Sequence, residues 1–444
     1  MRLAVLPQTG VELRARRGAR FSLRNGSMVF IPLLFYAFFC QSIASSSIVL
    51  GACLVASFAS LVMHFLANGR FASKRFGLEV TWVPFFILFY AHSFFFGVSN
   101  LTLLVVYTIL FVCMYAASGE REWVSSCIKA VVAFAAFHAA CTIAFWLFPA
   151  LYAPVKAAFF SSSYMASDYR SGFTAHYSTN SIYLSFGLVC WVCGLIGEKS
   201  KPRAKDIILG MAFLLALFLT TKRGPLVASV VAIAVCYLFV NKDKFTGTVL
   251  KALAIVLMAI LAMGVTATFV PGVEATLERF VELSEDETGN GRSELYDCAW
   301  SMVGASPLFG SGWGSYSKYV ATTPLGVMYS NLGFSSMSTH NVYLQLLAET
   351  GVVGLALFLA PAAATLVAAM RRSAAHSGGG LYGESFCLWA CVGAQVFFLI
   401  YCLSGNPLYD PQCYIPYFMS CVAVFAICGT DTKRKDVGLH GNLQ

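Results

Sequence analysis

Residues 340–370 read HNVYLQLLAETGVVGLALFLAPAAATLVAAM, a run of 31 residues with one charged side chain, Glu349. About 20 such residues are enough for a helix to cross the hydrocarbon core of a bilayer. At 1.5 Å per residue a continuous helix here is about 46 Å long, so we expect its first turns at or above the outer membrane interface. The stretch therefore indicates a membrane-spanning helix.

The rest of the chain has the same character. Of its 444 residues, 58% are hydrophobic and 11% are charged, and the mean hydropathy is +0.72. Soluble domains carry about 25% charged residues. This composition excludes a soluble enzyme, a disordered chain and a nucleic-acid-binding protein. It predicts an all-α integral membrane protein.

Apolar runs long enough to be membrane spans occur twelve times. They are 28–45, 47–67, 81–98, 100–117, 126–148, 178–197, 206–221, 225–240, 248–270, 340–370, 386–404 and 412–429. The predicted domains are a basic N-terminal segment (1–27), nine spans (28–270), a large extracytoplasmic loop (271–339), three spans (340–429) and a tail (430–444).

The basic residues predict the orientation of these spans. With both termini in the cytoplasm, 23 of the 30 Lys and Arg residues lie on the cytoplasmic side, as the positive-inside rule requires. The net charge of +9 is then a topology signal and implies no nucleic-acid partner. A signal peptide cleaved after Ala44 is the alternative for the N-terminal region, and a retained first span fits the charge pattern better.

A turn on the outer side carries two basic residues, where the charge rule discourages them. Lys222 and Arg223 precede Pro225, which suits the first turn of a helix. A helix N-terminus with free N–H groups beside two cations favours phosphate binding. The alternative is an interfacial anchor to lipid headgroups.

The large loop contains a third basic candidate. Two short amphipathic helices are expected in it, at 273–287 and 292–304, and Arg292 opens the second. On spacing alone, a surface ion pair between Arg292 and a nearby acid such as Glu294 is the favoured interpretation.

A histidine and a polar stripe begin the span at 340. His340 follows Ser338 and Thr339, which are expected to cap the helix, and its imidazole can accept a proton near neutral pH. One helix face carries the polar residues Asn341, Gln345 and Glu349. Such a stripe faces a wet cavity or forms interhelical hydrogen bonds, and both readings stay open.

Among the remaining histidines, His176 is a candidate for the same cavity because it lies in the first sizeable outer loop, 150–177. The acidic run 285–287 has no ligand spacing, so a solvated helix face is the better reading. Zinc-protease and nucleotide-binding patterns are absent from the sequence. The residues therefore predict no metal and no cofactor.

These stretches together resemble the O-antigen ligase and O-antigen polymerase superfamily. The resemblance lies in residues 220–355. It is carried by GRSELY at 291–296, SPLFGSGWG at 306–314, THNVYLQ at 339–345, ETGVVGL at 349–355 and the Lys222–Arg223–Gly224 turn.

The resemblance implies an inverting, metal-independent glycosyltransferase in the bacterial cytoplasmic membrane. Its donor would be a glycan on undecaprenyl pyrophosphate at the extracytoplasmic face. Arg223 and Arg292 match the two functional arginines of the family, and His340 matches its catalytic histidine. Trp300 and Trp313 become candidates for stacking on sugars, although interfacial anchoring explains them as well. Membrane lipids, a chain-length regulator and a flippase are the other implied partners.

The superfamily motifs do not separate a polymerase from a ligase. A polymerase joins one lipid-linked repeat unit to another, whereas a ligase moves the glycan to lipid A-core. Residues 172–180, 404–410 and 415–417 resemble the polymerase branch more closely, so polymerase is favoured over ligase and over protein-glycosylating or teichuronic-type relatives. A non-enzymatic transporter is the rival class, and it would place charged residues at mid-membrane.

Overall fold

The structure is a computed structural model, and it describes ten stretches of the chain. They are residues 27–40, 47–68, 77–97, 101–116, 121–160, 168–199, 201–241, 292–331, 337–375 and 379–440. Within these stretches every regular element is a helix and no strand occurs. The all-helical prediction is therefore confirmed for this part of the chain.

Fifteen α-helices are numbered here in order along the described residues. They are α1 Ser27–Phe39, α2 Ser47–Asn68, α3 Val83–Phe96, α4 Leu101–Ala116, α5 Glu122–Leu147, α6 Tyr152–Phe159, α7 Tyr177–Glu198, α8 Ala204–Leu219, α9 Arg223–Val240, α10 Arg292–Ala305, α11 Ser315–Ala321, α12 Pro324–Asn331, α13 Val342–Ala375, α14 Glu384–Tyr401 and α15 Pro411–His440. Short 3₁₀ helices occur at Leu78–Trp82, Pro149–Leu151 and Tyr169–Ser171.

Eleven of the twelve predicted spans coincide with described helices, and the twelfth, 248–270, lies outside the described residues. Seven helical segments are long and apolar enough to cross a membrane. These are Leu78–Phe96, Glu122–Leu147, Tyr177–Glu198, Arg223–Val240, Val342–Ala374, Glu384–Tyr401 and Pro411–Cys428. The apolar helices in α1, α2 and α4 are shorter, and α8 has 16 residues. The count of twelve spans and their orientation stay predictions.

Helices α7 and α14 form the centre of the bundle and pack closely through glycines. A Cβ on Gly194 would lie 2.6 Å from the ring of Phe386, and one on Gly393 would lie 2.7 Å from Cys193 Sγ. Small residues allow helix backbones to approach in this way, as is common where helices pack within a membrane. The close contact fixes how α7 and α14 pack against each other.

Helix α13 is broken, so the expectation of one continuous 31-residue helix is wrong. Gly351 has φ 68° and ψ −173°, outside the helical region. The segment after the break, residues 352–375, is about 36 Å long at 1.5 Å per residue and is sufficient by itself to span a bilayer. The segment before it, residues 342–350, forms a separate helix of about two and a half turns.

The loop 307–312 fills the break in α13 with hydrogen bonds. The carbonyls of Pro307 and Leu308 accept from the N–H groups of Val352 at 2.9 Å and Val353 at 3.2 Å. In the other direction, Gly312 donates its N–H to the carbonyl of Glu349 at 2.8 Å. Broken helices inside membrane proteins need such partners because unpaired backbone groups are costly there. The SPLFGSGWG and ETGVVGL motifs are therefore one interlocked unit.

The first part of α13 also anchors the helices that follow Arg292. The predicted helix at 292–304 is present as α10, whereas the one predicted at 273–287 lies outside the described residues. A small apolar core joins α10 and α11 to α13. It consists of Leu295, Ala299, Met302, Tyr316, Val320, Leu344 and Ala348.

Candidate active site

The basic turn before α9 leads directly into the N-terminus of the helix. Lys222 occupies the N-cap position with no side-chain hydrogen bond to the helix, and Arg223 is the first helical residue. The preceding Thr221 has φ 57°, an uncommon conformation for a β-branched residue. A Cβ on Gly224 would lie 3.0 Å from Ser404 Oγ, so the turn packs against the chain that follows α14. This geometry is suited to binding an anion.

His340 lies directly before α13 in a strained backbone conformation. Its φ of 53° is in the left-handed region, which costs energy for a residue other than glycine and persists only when its surroundings enforce it. The expected caps Ser338 and Thr339 are not the cap of α13. That role belongs to Asn341, whose Oδ1 accepts from the N–H of Leu344 at 3.1 Å.

Gln345 and Asn406 hold the backbone around His340. The Oε1 of Gln345 accepts from the N–H of Thr339 at 3.3 Å and from Nδ2 of Asn406 at 2.6 Å. On the other side of His340, Val342 donates its N–H to the carbonyl of Cys402 at 2.8 Å. Gln345 belongs to the predicted polar stripe, whereas Asn406 was not predicted as a site residue. The sequence pattern that could have indicated Asn406 is the stretch 404–410, which resembles the polymerase branch.

Cationic residues lower the pKa values of the two histidines of the candidate site. Burial lowers the pKa of His340, and the positive charges of Arg292 and Lys222 lower it further. The pKa of His176 is lowered by burial and then by Lys222 and Arg170. Both histidines therefore lie within electrostatic range of Lys222, with Arg292 near His340 and Arg170 near His176. His340 is therefore neutral at neutral pH and can accept a proton.

Glu349 is fully occupied by contacts within the protein. It accepts from the N–H groups of Gly314 at 2.8 Å and Tyr316 at 3.1 Å, from Gln345 Nε2 at 3.2 Å and from the Tyr409 hydroxyl at 2.6 Å. Its side chain is 0% exposed. Of the two readings left open for the polar stripe, this geometry matches the hydrogen-bonding one for Glu349.

The two tryptophans proposed to stack on sugars differ in their surroundings. Trp300 on α10 is 57% exposed and remains available. Trp313 is 5% exposed, and its ring packs 5.0 Å from that of Phe89 and 5.4 Å from that of Tyr409. The proposed sugar-stacking role of Trp313 does not fit this burial, because its ring belongs to the aromatic core.

An acidic residue that was not predicted from the sequence, Asp410, lies near Tyr401. Asp410 immediately precedes α15, and burial raises its pKa to about 7. Both Asp410 and Arg292 lie within electrostatic range of Tyr401 at the end of α14. The available signal was an acid directly before an apolar run. For metal ligands, the described stretches contain no group of three or more His, Cys, Asp or Glu side chains suited to hold an ion.

Comparison with protein families identifies the central part of the chain. Residues 208–359 match the family model Wzy_C, described as O-antigen ligase. A search of the curated proteins found no match to the chain. The matched segment includes Lys222, Arg223, Arg292 and His340. The superfamily predicted from the sequence motifs is therefore confirmed for residues 208–359, the segment that matches.

Proposed function

We propose that the chain is a membrane glycosyltransferase that transfers a glycan from undecaprenyl pyrophosphate to an acceptor hydroxyl. The observation that carries the proposal is that His340 lies within electrostatic range of both Arg292 and Lys222, and Lys222 stands at the start of α9. The O-antigen ligase match at residues 208–359 supports the lipid-linked glycan as substrate class. The site would open at the extracytoplasmic face of the cytoplasmic membrane, where the charge pattern puts it.

The cations would stabilise the leaving group. Breaking the bond between the anomeric carbon and the pyrophosphate oxygen places growing negative charge on the pyrophosphate. Arg223 and Arg292 can bind phosphate oxygens in pairs through their planar guanidinium groups. The positive end of the α9 helix dipole would add to the stabilisation at the same place. In this proposal the protein itself supplies the charge, and no metal or cofactor is assigned.

His340 would act as the general base. Its lowered pKa keeps the imidazole neutral, so a ring nitrogen can take the proton of the acceptor hydroxyl as the oxygen attacks. The oxygen would form its bond to the anomeric carbon on the face opposite the departing pyrophosphate. That direction of attack inverts the configuration at the anomeric carbon.

We favour a polymerase, in which the acceptor is another lipid-linked repeat unit. Two stretches that resemble the polymerase branch contribute directly to the site: 172–180 provides His176, and 404–410 provides Asn406. A flippase and a chain-length regulator are then the expected partners. The alternative is a ligase that uses lipid A-core, and a non-enzymatic transporter is the less favoured rival.

The test is transfer by the purified protein in nanodiscs with a synthetic undecaprenyl-pyrophosphate repeat unit and no added metal. A ladder of lengthening products, lost in Arg223→Ala and His340→Ala, would support a polymerase. Lys318→Ala, on the exposed face of α11, is the matched control and should retain the ladder. Single transfer that requires lipid A-core would indicate a ligase. Movement of lipid between leaflets without transfer would contradict the enzymatic proposal.

A further inference from the structure

The loop before α7 is held rigidly by contacts between buried polar groups. Asn180 Nδ2 donates to the carbonyl of Arg170 at 2.9 Å and to Thr142 Oγ1 at 2.8 Å. Farther along the loop, the buried ammonium group of Lys156 donates to the carbonyl of Thr174. Burying a lysine ammonium group costs free energy unless it has a hydrogen-bond partner. These contacts therefore hold the backbone of the loop in one position.

Two cations, one from this loop and one from the turn before α9, lie around one tyrosine ring. The guanidinium carbon of Arg170 lies 5.4 Å from the ring centre of Tyr177, and Lys222 Nζ lies 4.5 Å from it. The imidazole of His176 stacks on the same ring with its centroid 4.1 Å away. An aromatic ring attracts cations through its face, and here it holds the two cations beside the neutral imidazole of His176.

The hydrogen bonds orient these side chains as donors. His176 Nδ1 accepts from the N–H of Ser178 at 3.1 Å, so the neutral ring carries its proton on Nε2. Asp168 binds Nε of Arg170 at 2.7 Å and fixes the direction of the guanidinium group. The same carboxylate balances part of the charge of Arg170, and Lys222 brings a second cationic donor to the Tyr177 ring. A phosphate group can accept hydrogen bonds from an arginine, a lysine and a histidine Nε2–H together.

We propose that Arg170, His176 and Lys222 form a second phosphate subsite, which holds a phosphate group of the acceptor lipid. The donor pyrophosphate would bind Arg223 and Arg292 instead. This inference rests on the proposed function and extends it, since it makes the acceptor a phosphorylated lipid-linked molecule. A phospholipid headgroup of the bilayer has the same phosphate chemistry, and the test separates the two sources.

The experiment compares two acceptors in a single transfer. One is the repeat unit on undecaprenyl pyrophosphate, and the other is the same repeat unit on an uncharged alkyl chain. The donor carries an isotope label and a methylated acceptor hydroxyl, so the labelled product measured at initial rate reports one transfer from that donor. For Arg170→Gln we expect the KM of the phosphorylated acceptor to rise roughly tenfold, as loss of a charged hydrogen bond predicts. The kcat with either acceptor should stay unchanged, and so should the KM of the uncharged acceptor.

Two controls test the cause of that change. Arg170→Lys keeps the positive charge and should restore most of the affinity, and Lys318→Gln should have no effect. Retained turnover of the uncharged acceptor shows that the Arg170→Gln protein is folded. An equal loss with both acceptors would overturn the subsite. So would an effect that appears only in discs containing phosphatidylglycerol, because the bilayer would then supply the phosphate.

A measurement independent of turnover separates this inference from the proposed function. Native mass spectrometry can count the undecaprenyl pyrophosphate molecules bound to the protein. We expect two on the wild-type chain and one on Arg170→Gln. One molecule on both proteins would overturn the second subsite, even if transfer is observed. Two bound molecules without transfer would support the subsite and contradict the enzymatic proposal instead.

Discussion

The carboxylate of Glu349 accepts a hydrogen bond from the backbone N–H of Gly314 at 2.8 Å, across 35 positions of sequence. This bond joins the loop after α10 to the first segment of α13. The same carboxylate binds the Tyr409 hydroxyl at 2.6 Å, which adds the chain before α15. Three sequence motifs around the site are thus held by one buried acid.

Replacing Glu349 should reduce stability more than it reduces the chemistry. Glu349→Gln puts an N–H₂ group where one carboxylate oxygen accepts hydrogen bonds, so at least one donor loses its acceptor. We expect a loss of about 1–3 kcal/mol in the free energy of unfolding, the usual effect of an unsatisfied buried group. Thermal unfolding in detergent measures it, with Tyr409→Phe as the second arm of a double-mutant cycle. If Glu349 contacts substrate instead, transfer activity would fall at unchanged thermal stability.

The contact between Gly310 and the break in α13 allows a second prediction. Gly310 has φ 70°, and a Cβ there would collide with the backbone of Glu349 and Thr350. Gly310→Ala should therefore lower the melting temperature and reduce transfer, with a cost of at least about 1–3 kcal/mol for the strained backbone. Circular dichroism melts and the transfer assay check this effect.

Gly304→Ala is the matched control for that prediction. Gly304 lies inside α10, and a Cβ there meets nothing within 4 Å. Alanine is the better helix former by about 0.5–1 kcal/mol, so this variant should be neutral or slightly more stable. Equal melting temperatures for the two alanine variants would contradict the interlocked arrangement of the loop and α13.

The elements of the fold that depend on apolar length were predictable from the sequence. Eleven predicted spans coincide with helices, and α10 begins at Arg292 as expected. The break at Gly351 was not predicted, because the run 340–370 is apolar on both sides of it and its cause is a distant loop. Only the carbonyls of Pro307 and Leu308, inserted at the break, explain why α13 stops and restarts there.

The candidate site was predictable where a residue was unusual for its position. Arg223, Arg292 and His340 stood out as polar groups on the outer side, and the structure places His340 near Arg292 and Lys222. Asn406 and Arg170 were not predicted. Asn406 bonds to Gln345, and Arg170 shares the ring of Tyr177 with Lys222. Both partners are distant along the chain, and local sequence does not indicate such contacts.

The hydrogen bond between Asn406 and Gln345 gives a third prediction, about the position of His340. Asn406→Leu removes the 2.6 Å bond to Gln345, which in turn accepts from the N–H of Thr339. We expect kcat to fall, by up to about 100-fold if the imidazole moves by an ångström, while the KM for the donor changes little. Steady-state kinetics measures both constants.

Asn241→Leu provides a control of the same residue type at the other end of α9. Its Nδ2 donates to the carbonyl of Tyr237 at 2.9 Å, far from His340. This variant should keep the wild-type kcat. A proportional rise in KM with unchanged kcat for Asn406→Leu would instead assign Asn406 to substrate binding.

The electrostatic position of His340 predicts the pH dependence of transfer. A general base must be unprotonated, so kcat/KM should rise with pH through the pKa of His340 and then level off. Because burial, Arg292 and Lys222 lower that pKa, the acid limb should lie below the ordinary histidine value of about 6.5. Lys222→Gln removes one positive neighbour, so the pKa of His340 should rise and the limb should move to higher pH. The profile of kcat, measured with the pyrophosphate bound, should also lie at higher pH, since the anion favours the protonated ring.

Asp410, whose pKa burial raises to about 7, is the competing titratable group. A limb that Lys222→Gln leaves in place and Asp410→Asn abolishes would assign the titration to Asp410 and contradict the role of His340 as base.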